Sequence, residues 1–126
     1  MVRLNLDAAW IGMLLGALAG AGQGLFFHRE DWLGGYASWR RRMTRLGHIS
    51  FFGLAFVNLA FALTAGALGL EDGLGASSRL LVAGAAGMPL VCYLSAWRKP
   101  FRQLFFLPVL CVLLGVALFL RRVLAS

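Results

Sequence analysis

Four long apolar stretches alternate with short polar connections along this chain of 126 residues. The stretches lie at about residues 8–27, 49–70, 80–97 and 101–120, and nearly all charged residues fall between them. Because an α-helix rises about 1.5 Å per residue, about twenty apolar residues cross a hydrocarbon core about 30 Å thick. The pattern therefore predicts an all-α protein, an integral membrane four-helix transmembrane bundle in which residues 1–126 form a single transmembrane domain.

The first connection, residues 28–48, carries a helical pattern of its own. Its large side chains repeat at helical spacing, at Trp32, Tyr36, Trp39 and Met43. Tryptophan and tyrosine favour the headgroup level of a bilayer, and the pair Gly34-Gly35 favours a helix start after residue 35. We therefore expect a short interfacial amphipathic helix at about residues 36–45, between helices 1 and 2, or a helix from this region that runs on into the second span. Three arginines are expected to turn largely away from its aromatic face: Arg40, Arg41 and Arg42.

Composition and charge agree with a membrane protein and predict its orientation. The chain is 60% hydrophobic and 13% charged, with a net charge of +7. The first and third connections hold eight Lys and Arg residues, against four for the tails and the second connection. Since basic residues stay cytoplasmic in short loops, we predict both termini outside (periplasmic if bacterial), with residues 28–48 and 97–103 cytoplasmic. The residues expected at the membrane interface are Trp32, Tyr36, Trp39, Arg40, Arg41, Arg42, Trp97, Arg98 and Lys99.

This placement of the basic residues argues against nucleic acid as a partner. Binding DNA requires a water-exposed basic surface on a folded module, whereas these cations lie beside apolar helices at the level of lipid headgroups. The expected partners are the lipid bilayer and other membrane subunits, and no soluble substrate is evident.

Two features of the spans predict helix packing. Glycines recur every fourth residue in the first span, at Gly12, Gly16, Gly20 and Gly24. Such a stripe lets another helix approach closely, and that helix could belong to this chain or to a partner subunit. Asn58 lies deep in the second span, where its amide is expected to hydrogen-bond to another helix and fix the packing. The alternative is that Asn58 lines a path for a ligand or an ion.

His28 and His48 are the two histidines of the chain. The predicted topology puts both at the cytoplasmic ends of neighbouring helices, at similar depth, with His28 continuing the glycine stripe. Two axial nitrogens at one level, beside small residues, are what a haem b between two helices requires. The alternative is that both are interfacial residues with ordinary hydrogen bonds. Two histidines fall short of the three or four ligands of a zinc site, so we predict no metal.

The sequence favours a protein without catalytic activity. It contains none of the nucleophile, metalloprotease, phosphate-loop or dinucleotide motifs, so we assign no catalytic residues. No charged residue lies in the core of a span, which weakens a transporter interpretation. We predict an accessory or structural subunit of a larger membrane complex, of an electron-transfer, respiratory or photosynthetic type, contacted through the glycine face of the first span. The alternatives are a small haem b membrane cytochrome, with His28 and His48 as axial ligands, and a small channel or carrier.

Overall fold

The computed structural model describes residues 2–126, and within them it shows helices and no strand. The four long helices are α1 (Val2–Gly24), α2 (Trp39–Ala67), α3 (Gly75–Trp97) and α4 (Phe106–Leu124). Two stretches of 3₁₀-helix, Trp32–Gly34 and Lys99–Phe105, lie in the connections. Four segments are long and apolar enough to cross a membrane, the fourth being Lys99–Leu124. The predicted all-helical chain with four candidate spans is therefore confirmed.

The helices pack in chain order, each against the next, and α1 also touches α3. At one end the Nε of Arg122, in α4, donates to the carbonyl oxygen of Asp72 at 3.3 Å. We call this the terminal end, because both tails and the α2–α3 connection lie there. At the other end the Nε1 of Trp39 donates to the carbonyl oxygen of Ser95 at 2.8 Å. We call this the basic end: the α1–α2 and α3–α4 connections together with the first two turns of α2.

The interfacial helix predicted at residues 36–45 does not form a separate element; the structure shows its alternative, a helix that runs on into the second span, because α2 is continuous from Trp39 to Ala67. The turn before it uses Gly34 and Gly35, whose φ values of 89° and 101° suit glycine. Ser38 then caps the helix, with its Oγ accepting from the Arg41 backbone N–H at 3.2 Å. The 29 residues of α2 span about 43 Å, more than a hydrocarbon core of about 30 Å. All its charged residues lie in the first two turns, at Arg40, Arg41, Arg42 and Arg45. These residues therefore continue a span instead of forming an interfacial helix.

Two helices begin earlier than predicted, α1 at Val2 instead of residue 8 and α3 at Gly75 instead of residue 80. Two polar residues that lie outside the predicted spans, Asn5 and Ser78, are buried between helices in the structure. Close to them, the main apolar cluster lies at the terminal end of the bundle. Its buried members are Phe61, Ala65, Leu70, Leu74 and Leu81. This apolar cluster therefore includes two residues of the α2–α3 connection, Leu70 and Leu74.

Candidate functional site

A buried cluster of polar side chains joins three helices: Asn5 of α1, Asn58 of α2 and Ser78 of α3. Each is fully buried. The Nδ2 of Asn5 donates to Asn58 Oδ1 at 2.7 Å and to the Ser78 carbonyl oxygen at 3.3 Å. The Ser78 hydroxyl donates back to Asn5 Oδ1. We call these three residues the asparagine–serine cluster; it satisfies polar groups that lipid cannot hydrogen-bond.

Asn58 is the centre of this cluster. Its Nδ2 donates to the carbonyl oxygens of Leu54 at 2.9 Å and Leu81 at 3.2 Å, while its Oδ1 accepts from Asn5. These bonds use both ends of the amide to hold α2 against α1 and α3. An Asn58 engaged in this way acts as a packing residue.

A groove of about 420 Å³ opens on the surface between α1 and α3, and residues of α2 form its floor. Its walls are apolar side chains, including Leu4, Phe51 and Val82, apart from Asp7. The Asp7 carboxylate accepts from Arg3 Nε at 2.9 Å. Asn58 is not among the residues that line this groove. The groove therefore offers an apolar surface and no polar path past Asn58.

Three of the four stripe glycines face α2 of the same chain. A Cβ on Gly12 would lie 3.3 Å from Ala55 Cβ, and one on Gly16 would lie 2.7 Å from the Phe52 ring. A Cβ on Gly20 would lie 2.6 Å from His48 Nε2, whereas one on Gly24 would meet no atom within 4 Å. The neighbouring helix that the stripe predicted is thus α2 along its first three glycines. That part of α1 is already covered before any partner subunit binds.

The two histidines do not form a haem slot. The imidazole of His48 lies against Gly20 and meets the Phe52 ring edge-on, with centroids 5.7 Å apart. His28 is exposed in the turn that follows α1. The space where a porphyrin would lie beside Gly20 is filled by the His48 ring, so these residues do not fit the group. Within residues 2–126, no three His, Cys, Asp or Glu side chains are grouped as a metal site would require.

At the basic end, Arg41 departs from its predicted position. It is only 2% exposed, and its guanidinium donates to the carbonyl oxygens of Phe27 at 2.8 Å and Arg29 at 3.1 Å. A longer contact of 3.4 Å reaches the Glu30 carbonyl oxygen. These carbonyls follow the end of α1, where the backbone has run out of helical partners. Arg41 therefore fastens the first connection to α2, and the expectation that it turns away from the aromatic face is wrong.

Aromatic rings surround this guanidinium. Its Cζ lies 4.9, 5.6 and 5.4 Å from the ring centroids of Phe27, Trp32 and Tyr36. The negative faces of aromatic rings attract a cation, which helps to hold a buried charge in this position.

The other residues predicted at the membrane interface remain at the surface. Trp32 and Trp39 are half-buried, whereas the remainder are exposed: Tyr36, Arg40, Arg42, Trp97, Arg98 and Lys99. The Arg98 Cζ lies 4.9 Å from the Trp97 ring centroid. Lys99 Nζ and Arg42 Cζ lie 5.2 and 5.9 Å from the ring centroid of Trp39. The fold thus brings one cation from α2 and one from the α3–α4 connection to the same indole.

Sequence reasoning missed the partners of the buried polar groups. Asn5 precedes the first predicted span and Ser78 lies between the second and third, so both fall just outside the most apolar windows. The Gln23–Tyr93 pair, in which Gln23 Nε2 donates to the Tyr93 hydroxyl at 2.7 Å, links α1 to α3. Both residues lie inside predicted spans, but no spacing rule pairs them across 70 positions.

Comparisons with protein-family models, characterised proteins and solved structures find no match to this chain.

Proposed function

We propose that this chain is a small non-catalytic integral membrane protein that serves as an accessory or structural subunit of a larger membrane complex. The observation that carries the proposal is the asparagine–serine cluster. Asn58, the polar residue deepest in the bundle, forms its hydrogen bonds with neighbouring helices and its own helix, and it does not line the groove. Such a bundle suits a fixed scaffold better than a protein that moves or transforms a substrate. An electron-transfer complex, respiratory or photosynthetic, is the host class we propose.

We place the contact with a partner subunit on α4. The glycine face of α1, which the sequence suggested, packs on α2. By contrast, α4 packs chiefly on α3 and leaves most of its circumference uncovered. The exposed leucines of α4 include Leu107, Leu110, Leu113, Leu114 and Leu118. A partner helix could cover this surface without disturbing the other three helices.

Site-specific photo-crosslinking in the native membrane tests this proposal. A photoreactive residue at Leu113, which is 60% exposed on α4, is expected to capture one defined membrane protein. The matched control is the same residue at Leu18, equally exposed at 60% on α1, which is expected to capture lipid. Mass spectrometry identifies the products. The proposal is wrong if both positions capture only lipid and no other protein co-purifies in a stoichiometric amount after extraction in mild detergent.

A further inference from the structure

The first turn of α2 has an unusual charge for its position. It contains Arg40, Arg41 and Arg42 and no acidic residue. The amino-terminal end of a helix carries a partial positive charge, so cations there are destabilising and anions are stabilising. The buried Arg41 is held by backbone carbonyls, but Arg40 and Arg42 point to the surface. This end of α2 therefore gains from a bound anion.

A second cation comes to the same place from the other side of the basic end. Lys99, in the α3–α4 connection, lies over the Trp39 ring with its Nζ 5.2 Å from the centroid. Arg42 lies near the same ring, with its Cζ 5.9 Å from the centroid. The indole is fixed, because its Nε1 donates to the Ser95 carbonyl oxygen at 2.8 Å. Two like charges are thus held beside one rigid ring.

Acidic side chains of the chain do not neutralise this pair. The two salt bridges of the described residues are Arg3–Asp7, at the terminal end, and a long Arg29–Asp31 contact of 3.9 Å. Neither Arg42 nor Lys99 pairs with a carboxylate within residues 2–126. Both cations are therefore available to an anion from outside the chain.

The depth of the site indicates which anion is available. Trp39 begins the part of α2 that extends past the hydrocarbon core, at the level where tryptophan and headgroups meet. We propose that Arg42, Lys99 and the indole of Trp39 bind the phosphate of an anionic phospholipid headgroup. The two cations supply the positive charge that a phosphate requires, and the fixed indole of Trp39 marks the headgroup level at which it would lie. This is a lipid-binding site independent of any subunit contact on α4.

Native mass spectrometry of the full-length protein, released from nanodiscs of phosphatidylcholine mixed with phosphatidylglycerol, tests the site. One phosphatidylglycerol is expected to remain on each chain. Because a cation near an anionic lipid surface contributes about a fivefold gain in affinity, R42Q and K99Q should each weaken retention by about fivefold. K99R should restore it. Both side chains are exposed, and retention of the circular-dichroism spectrum confirms that each variant folds.

The matched control is R40Q, which removes an exposed cation from the same helical turn but from a position without the Trp39 contact. Retention unchanged in R40Q supports the site. Equal losses in R40Q, R42Q and K99Q would show a diffuse surface-charge effect and overturn it. Displacement of the lipid by inorganic phosphate alone, with neutral detergent present, would show that free phosphate is the ligand. An acidic partner protein cross-linked to Lys99 in place of lipid would likewise overturn the proposal.

Discussion

Asn58 connects three helices through a single side chain, so its replacement should loosen the whole bundle. Asn58→Leu removes the bonds to Asn5, Leu54 and Leu81 and leaves polar atoms of its partners less satisfied. Two of these bonds, to Asn5 and Leu81, join different helices; at an average of about 0.6 kcal/mol for an interhelical bond in a membrane protein, the expected loss is about 1 kcal/mol. Unfolding by increasing fractions of a denaturing detergent measures it.

The matched control for this prediction is Thr64→Val, on the same helix. The Thr64 hydroxyl makes no hydrogen bond among the described residues, and its side chain is half-buried. The expected change in unfolding free energy is below about 0.5 kcal/mol. If Asn58→Leu were no more destabilising than Thr64→Val, the cluster would not contribute to packing as we infer.

The role of Arg41 should depend on the shape of its guanidinium as well as on its positive charge. Its planar fork reaches the carbonyl oxygens of Phe27 and Arg29 together, which a lysine ammonium cannot do. Arg41→Lys is therefore expected to free the first connection, seen as at least a tenfold faster amide exchange, about 1.4 kcal/mol, in residues 27–36. Hydrogen–deuterium exchange read by mass spectrometry measures this. The exposed neighbour variant Arg40→Lys should exchange like the unmodified protein; similar exchange in both variants would contradict the role of Arg41.

At the scale of single residues, the sequence predicted which side chain needs a hydrogen bond inside the membrane, but it did not predict which residues provide that bond. That Asn58 must bond to another helix followed from its depth alone. That the partners are Asn5 and Ser78 depends on how far the helices extend past their apolar windows. Arg41 shows the same limit, because helical spacing places it beside Arg40 and Arg42 but does not reveal unbonded carbonyls at the end of another helix.

At the scale of elements, the close packing of α1 on α2 depends on glycines, which have no side chain to separate the two helices. Gly16→Leu would drive a side chain into Phe52, whose ring lies 2.7 Å from the position of a Cβ, and toward Phe51 Cβ at 3.1 Å. Overpacking of this kind typically costs about 1–3 kcal/mol. We expect that loss of unfolding free energy, together with a wider α1–α2 separation measured by spin-label distances.

Gly24→Leu provides the matched control on the same stripe. A Cβ at Gly24 meets no atom within 4 Å, so the substitution should leave the spin-label distance unchanged. An equal effect at Gly16 and Gly24 would mean that the stripe acts through glycine flexibility and not through close approach.

The helices themselves were more predictable than their ends. Four apolar windows gave four spans, because lipid requires helical segments of that length. The helical prediction for the aromatic repeat holds for Trp39 and Met43, which lie in α2. It does not hold for Trp32 and Tyr36, which precede that helix. An interfacial helix and a span that extends into the headgroup layer share the same amphipathic pattern. The Ser38 cap and the absence of a break before residue 49 distinguish them only once the backbone is known.

For the whole molecule, the fold determines which segments share an end, and charge predicts which end faces the cytoplasm. The Arg122–Asp72 and Trp39–Ser95 hydrogen bonds mark the two ends. The bundle would be equally well packed in either orientation, so no contact inside it selects one. The eight Lys and Arg residues in the connections at the basic end, against four elsewhere, are the asymmetry from which the orientation is predicted.

Cysteine labelling in intact cells tests this orientation. In a background carrying Cys92→Ser and Cys111→Ser, a membrane-impermeant maleimide is expected to label Glu71→Cys, at the terminal end. It should label Gln103→Cys, at the basic end, only after permeabilisation; both positions are exposed. Because the bias of Lys and Arg sets the orientation, adding Glu71→Arg and Asp72→Arg to the Gln103→Cys protein should make part of the population label without permeabilisation. Labelling of Gln103→Cys in intact cells before any charge is added would contradict the predicted topology. If the added arginine pair had no effect on labelling, packing or a partner subunit would select the orientation instead.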